Sequence, residues 1–482
     1  MRTEDQIKQG PPMEATRQPA GIDFAGLSVH MIGIGGSGMS GAAAMLLSMG
    51  ARVSGSDAQK FDGVGRLVKR GARVMIGQRA ENVPPDTGLV VASAAIPATN
   101  PELVEARSRG LRVLSYAELL GVVVGLREGL AVAGTHGKST TTAMTAFLLR
   151  EAGLDPSFVV GAHCDQLGGS SAAAGGRHFV VESCEYNRSF LHLRPALAAV
   201  LNVEPDHLDY YSGISEIVEA FGQFCRQVRP DGLVVVNGDD ECACRAASSS
   251  AAKVETFGFS KGLDWRAIDL VEERGCFQIT VEYQGERAFV TRMGIAGKHN
   301  VANALAAAAL AHRAGCSFEQ IAASLSRFQG ISRRMMLRGT GRGVTIVDDY
   351  AHHPTEIRAT IKAVRGQYAP RRTWVVFQPH QHERTRVFLE DFAGSFGDAD
   401  EVIVSDIFSA REGSSRYGSE GSMELVARIH AHGGRATYLA TLESVTEHLD
   451  AMVVEGDMVL TMGAGDIWKV ADGLVERICR PD

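Results

Sequence analysis

The chain has 482 residues, 45% of them hydrophobic and 22% charged, with a formal net charge of −7. It is too long for one hydrophobic core, which predicts about three domains. The acidic balance excludes a general affinity for nucleic acid or an anionic membrane, so any phosphate must be met by a local site.

Residues 1–26 read as a disordered tail, because Met1–Ile22 is polar, contains Pro-Pro and lacks the apolar core of a signal peptide. A first α/β unit follows at 27–128. Leu27–Gly33 reads as a buried strand, GIGGSGMSG (Gly33–Gly41) as a glycine loop opening a helix through Met49, and Arg52–Gly55, Gly88–Ala92 and Arg112–Leu114 as further strands. Strand alternating with helix predicts a doubly wound, Rossmann-like parallel sheet. Gly33, Gly35 and Gly38 match G-x-G-x-x-G, and Asp57 follows at the usual distance. The loop fits NAD and a sugar-nucleotide diphosphate equally well, since both set a pyrophosphate on a helix N-terminus.

A second unit at 129–332 starts with the strand LAVA and the loop AGTHGKSTTTA (Ala133–Ala143), then a helix over Thr140–Ala152. The strict G-x-x-x-x-G-K-S/T spacing fails, because Val132 holds its first position. The working parts remain. Gly134 and Gly137 admit a close ligand, Lys138 supplies a cation, and Ser139 or Thr140 can ligate a metal, so a P-loop-type ATPase domain is expected with ATP as ligand. Strands at His178–Val181, Ala196–Leu201 and Leu233–Val236 end in polar residues. The first runs into VVESCEYNRSF, with Glu182 and Glu185; the second runs into NVEPDHLD, with Glu204, Asp206, His207 and Asp209. Carboxylates at strand ends beside a phosphate loop suit Mg²⁺, with Mn²⁺ as a substitute. His207 serves as a further ligand or orients a water. A β-rich stretch (Trp265–Arg292), a helix (Asn300–Ala314) and a linker (Phe328–Arg334) complete the unit.

The third unit, 333–482, is again Rossmann-like, with strands at Val344–Val347, Thr373–Phe377, Glu401–Val404 and Met458–Thr461. VDDYAHHPTEI invites a zinc reading at His352 and His353, set aside because no Cys or further His stands at a supporting spacing. FQPHQHERTR offers His380, Arg384 and Arg386 as a carboxylate clamp. The eight cysteines form no disulfide framework and read as reduced thiols in a cytoplasm.

GIGGSGMSG, VSGSD, the Ser93–Glu102 segment, GTHGKSTTT, NVEPDHLD, GKHNVANALAA, DDYAHHPTEI, FQPH and TMGAGD occur in this order. From about Leu27 to Val475 the chain thereby resembles the Mur ligases of peptidoglycan synthesis, above all their L-alanine-adding members. The resemblance implies that Gly33, Gly35, Gly36, Ser37 and Gly38 hold a UDP-sugar, with Asp57 and Ser93 nearby. It implies that Gly134, Thr135, His136, Gly137, Lys138, Ser139 and Thr140 hold ATP, and that Ser139, Glu182 and His207 hold the metal. His299 and Asn303 would meet adenine, and Arg334 and Asp349 would reach ATP from the linker and third unit. His380 and Arg384 would hold the amino acid. Lys138, Glu182, His207 and Arg334 would carry the catalysis, on UDP-N-acetylmuramate and L-alanine, in a monomer or homodimer free of nucleic acid and membrane.

Alanine-adding members usually read E-A-D-E-S-D-x-S-F, whereas Cys184 and Asn187 stand here where acids are expected. Tyr186 is similar to relatives that attach L-alanyl-γ-D-glutamyl-meso-diaminopimelate, the runner-up activity, and Gln78 replaces a histidine common near the uridine. A NAD-dependent oxidoreductase would leave the Lys138 loop unexplained. A sugar-nucleotide sensor would not need Lys138, Glu182 and His207 together.

Overall fold

The structure, a computed structural model, describes residues 22–61, 63–409 and 419–478. Three sheets follow one another along the chain. In the first, Ser28–Ile32 is central, with Arg52–Asp57 and Arg73–Ile76 on one side and Leu89–Ala92 and Arg112–Ser115 on the other, all parallel. All five residues of the central strand are buried, as in a parallel sheet covered on both faces. Strand order reverses between Ser28–Ile32 and Leu89–Ala92, and the glycine loop leaves the sheet at that switch point.

The central sheet has ten strands. Glu128–Ala133 lies between His178–Glu182 and Leu197–Val200 and parallel to both. The antiparallel ribbon Trp265–Glu273, Cys276–Tyr283 and Glu286–Arg292 extends one edge, and Gly169–Ala172 closes the other. The helix after the phosphate loop, Lys138–Glu151, is buried from Thr140 to Leu149 and packs against Lys298–Arg313. Ala304 and Ala306 to Ala309 on that second helix are buried, and their small side chains let the two helices approach closely. The third sheet is ordered Met336–Gly341, Val344–Asp349, Asp457–Met462, Arg372–Phe377, Glu401–Val404 and Ala436–Tyr438, parallel except for its first strand.

One expectation needs correcting. The tail does not extend to residue 26, because Phe24 is buried in the first core and folded chain is already present there; residues 1–21 lie outside the described ones. Among the described residues no helix is long and apolar enough to cross a membrane.

Candidate active site

The phosphate loop follows from where its glycines stand. Gly137, in the left-handed region at φ +81°, caps the helix Lys138–Glu151, and a Cβ there would fall 2.5 Å from Asn303 Oδ1. No side chain caps this helix, so its first N–H groups are left for an anion. Lys138 folds back over the loop. Its Nζ donates to the carbonyls of Gly134 at 2.6 Å and Thr135 at 3.0 Å and pairs with Glu185 at 2.9 Å. Burial works against the ammonium charge, but Glu185 outweighs it and holds the Lys138 pKa above its ordinary value.

Glu185 is itself 3% exposed and faces a second element. His207 Nε2 lies 3.6 Å from Glu185 Oε1 and 3.8 Å from Asp206 Oδ2. His207 adopts φ +52°, a strained conformation for a residue with a Cβ, and its carbonyl accepts N–H groups from Tyr210 and Tyr211 at 2.9 Å each. The Tyr186 ring packs on the His207 ring at 4.8 Å. Ligand atoms of Glu185, Asp206 and His207 all lie within 4.8 Å of one another. Glu182, at the end of its own strand, instead accepts the Gly161 N–H at 2.7 Å.

A cavity of about 480 Å³ opens beside this group, between the central and third units. His136, Gly137, Thr140, His299, Asn303, Arg334 and Asp349 line it together. Burial pushes Asp349 up to about 6 against the pull of Arg334, and burial with Arg334 pushes His299 down to about 4.

The third unit grips the NVEPDHLD loop from the other side. Arg384 pairs with Asp206 at 2.6 Å, both side chains 7% exposed. His353 Nε2 donates to the Pro205 carbonyl at 3.1 Å, and Thr355 Oγ1 donates to Glu204 at 2.7 Å. The His380 ring lies 6.1 Å from that of His352. His136 Nδ1 lies 3.3 Å from Glu356, and its Nε2 lies 3.6 Å from Glu204. His353 therefore does have metal-type neighbours, His136 and Glu204, which the local spacing of His352 and His353 did not reveal. Burial alone would lower the His136 pKa, but Glu204 and Glu356 outweigh it and raise it to about 9. A raised histidine pKa contributes stability that is complete below 6.5 and lost as pH rises through about 9. The groups facing this ring are Glu204, Glu356 and His353, with Arg334 behind Glu356. The melting temperature is therefore expected to fall across that window, and a scan of His136→Asn against pH should be flatter.

In the first unit the N–H of Gly35 donates to Asp57 Oδ2 at 2.9 Å. A Cβ on Gly35 would sit 2.4 Å from the Phe61 ring, one on Gly38 2.7 Å from Tyr116, and one on Gly33 3.1 Å from Ser93. The helix Ser37–Ser48 starts from Gly36 without a side-chain cap, and the side chain of Ser37 lies outside what is described.

Three family models match in succession: "Mur ligase family, catalytic domain" over residues 28–127, "Mur ligase middle domain" over 132–311 and "Mur ligase, glutamate ligase domain" over 333–465. The chain belongs to the Mur ligase family. A UDP-N-acetylmuramate–L-alanine ligase of Acetivibrio thermocellus is 42% identical over 92% of this Mur ligase and 94% of its own length. One from Pelotomaculum thermopropionicum is 42% identical over 93% and 97%. Among solved structures, the UDP-N-acetylmuramate–alanine ligase MurC of Thermotoga maritima superposes with a TM-score of 0.78 at 28% identity, covering 94% of this chain and 99% of that one. A murein peptide ligase of Psychrobacter arcticus gives 0.71 at 26%, covering 95% and 100%.

Within this Mur ligase the fold gathers residues that the sequence reading had kept apart. Glu185 and Asp206 read from sequence as carboxylates for a metal, with no cation partner assigned, and the structure pairs them with Lys138 and Arg384. Glu356, which meets His136, Arg334 and the His352 N–H, carried no signal beyond its place in a helix's first turn.

Proposed function

We propose that this Mur ligase joins L-alanine to the carboxylate of UDP-N-acetylmuramate, consuming ATP and releasing ADP and phosphate. The observation that carries the reading is one cavity between the central and third units, lined together by the phosphate loop at His136 and Gly137 and by Arg334 and Asp349. About 40% identity to alanine-adding relatives along more than nine-tenths of the chain supports the choice of substrates. In this reading, residues 27–128 hold the UDP-sugar on Gly33 to Gly38, 129–332 hold ATP, and 333–482 receive the amino acid.

The chemistry begins with an anion approaching an anion. At 4 Å and an effective dielectric of 20, each unit of charge repulsion costs about 4 kcal/mol. Lys138 and the N-terminus of its helix offset this, with Lys138 leaving Glu185 for the γ-phosphate. A carboxylate oxygen of the muramyl group bonds to the γ-phosphorus as the bond to ADP breaks. The L-alanine amine then attacks the acyl carbon, the carbon–oxygen bond to phosphate breaks, and the amine gives up a proton. Arg334, over the cavity, would balance charge on the nucleotide. His299, held neutral near pH 7, would offer adenine an uncharged edge. The docked third unit would keep water from the acyl phosphate.

Carboxylates from two elements with one imidazole form a donor set that suits Mg²⁺ or Mn²⁺. Glu185, Asp206 and His207 would hold the ion, with Ser139 and Glu182 at its margin. Bound there, it would supply positive charge to the phosphates.

The test is product mass and phosphate release with ATP, Mg²⁺ and UDP-N-acetylmuramate, with either L-alanine or L-alanyl-γ-D-glutamyl-meso-diaminopimelate as acceptor. Product with L-alanine is expected. Product with the tripeptide alone would move the enzyme to cell-wall recycling and give Tyr186 a role in acceptor choice.

A further inference from the structure

We propose that His136 is a positioning residue, the contact through which the third domain sets the phosphate loop for phosphoryl transfer. The inference rests on the function proposed above. The backbone of His136 belongs to the central domain, because its N–H donates to Asn202 Oδ1 at 2.7 Å and its carbonyl accepts from Asn202 Nδ2 at 3.2 Å. Its side chain does not. Nδ1 meets Glu356 of the third domain at 3.3 Å, and the ring lies 4.5 Å from that of His353. Nε2 faces Glu204, which Thr355 of the third domain also holds. Glu356 in turn meets Arg334 at 3.4 Å and the His352 N–H at 3.1 Å.

The carboxylates stand 3.3 Å from Nδ1 and 3.6 Å from Nε2, the latter nitrogen buried without a hydrogen bond, so charge proximity on both sides favours the imidazolium over the neutral ring. The raised pKa of His136 agrees with this. Two cations, His136 and Arg334, then face two anions, Glu204 and Glu356, and the buried charges cancel. The His136 charge is used up between domains and is not free to bind phosphate, although the residue stands two positions before Lys138. Docking of the third domain completes the clamp, and undocking leaves His136 without Glu356. Phosphoryl transfer is thereby tied to the presence of the domain that delivers the amine, which spares the acyl phosphate from water.

The experiment uses the full chain with Glu356→Gln, His136→Asn and the double variant. Steady-state kinetics with ATP, UDP-N-acetylmuramate and L-alanine run beside hydrogen exchange of the Gly134–Lys138 amides. Each single change is expected to lower kcat at least tenfold with the KM for ATP within about threefold, and the double to fall no further than the worse single. Exchange at the loop should accelerate in all three. Multiplying effects, or a raised KM for ATP with kcat and loop exchange unchanged, would overturn the proposal and make His136 an ordinary phosphate ligand. The exchange comparison needs no substrate. If the parent enzyme made no product, the proposed function would fall, while loop exchange would still decide the clamp between support and rejection.

Discussion

Lys138→Ala is expected to lower ATP-dependent phosphate release by on the order of 10³-fold, the scale for removing a group that stabilises a transferring phosphoryl. Binding of UDP-N-acetylmuramate, read by calorimetry, should stay within about threefold, because its proposed loop belongs to a different sheet. A second effect must be separated from the first. Glu185 is almost fully buried and keeps Lys138 as its counter-ion, so the substitution leaves a carboxylate unpaired, at about 3–5 kcal/mol. Adding Glu185→Gln should restore much of the lost melting temperature without restoring turnover. Recovery of turnover in that double variant would mean that Lys138 serves the fold rather than the phosphate.

Arg384→Met should lower kcat/KM for L-alanine by roughly 10²-fold or more, the equivalent of about 3 kcal/mol for breaking a buried ion pair. The sequence reading gave Arg384 to the amino-acid carboxylate, yet in the structure its guanidinium is bound to Asp206 across the domain boundary. The two roles separate in proteolysis. If the pair holds the third domain down, trypsin should cut the linker at Arg333 or Arg334 faster in the variant, with or without substrates. If Arg384 serves only the amino acid, linker cleavage should match the parent and the KM for L-alanine alone should rise. Asp206 adds a pH signature. Burial would raise its carboxyl, but Arg384, His207 and His352 together outweigh burial and depress it. Its contribution is therefore present above the ordinary 3.8 and is lost only in stronger acid.

Sheet centres were legible because buried parallel strands read as apolar runs bounded by glycine or polar residues. LAVA, LVVV and VVF are of this kind, and Glu401–Val404 fell on its predicted bounds. Most of the strands that escaped lie at or near edges; Lys253–Gly258, inside the central sheet, is the exception. Arg73–Ile76 has exposed ends around two half-buried residues, Gly169–Ala172 is half-buried throughout, and Ala436–Tyr438 has three residues. Such segments pair because a sheet is present to receive them, a cause that no short window contains. The site divides in the same way. Lys138 and its glycines announced themselves, since a helix N-terminus that holds phosphate requires those residues at that spacing. Glu185, Asp206 and Glu356 did not, because each acquires its role from a cation supplied by another element: Lys138, Arg384, and His136 with Arg334. Charge pairing between elements distant in sequence leaves no periodicity to read.

The strand order of the central sheet has a bearing on how the chain is made. The first sheet is complete once Ser115 has emerged, whereas the strand that carries the phosphate loop waits for its neighbours His178–Glu182 and Leu197–Val200. At about 5–20 residues per second, the interval to Val200 lasts roughly 4–17 s on the ribosome. The first domain can fold on its own during this time, while Gly129–Ala133 stays an unpaired apolar strand with little in its sequence to keep it soluble. Nascent chains of this enzyme are thus most exposed to aggregation and to chaperone capture after the first domain has folded and before Leu197–Val200 pairs with the loop-bearing strand.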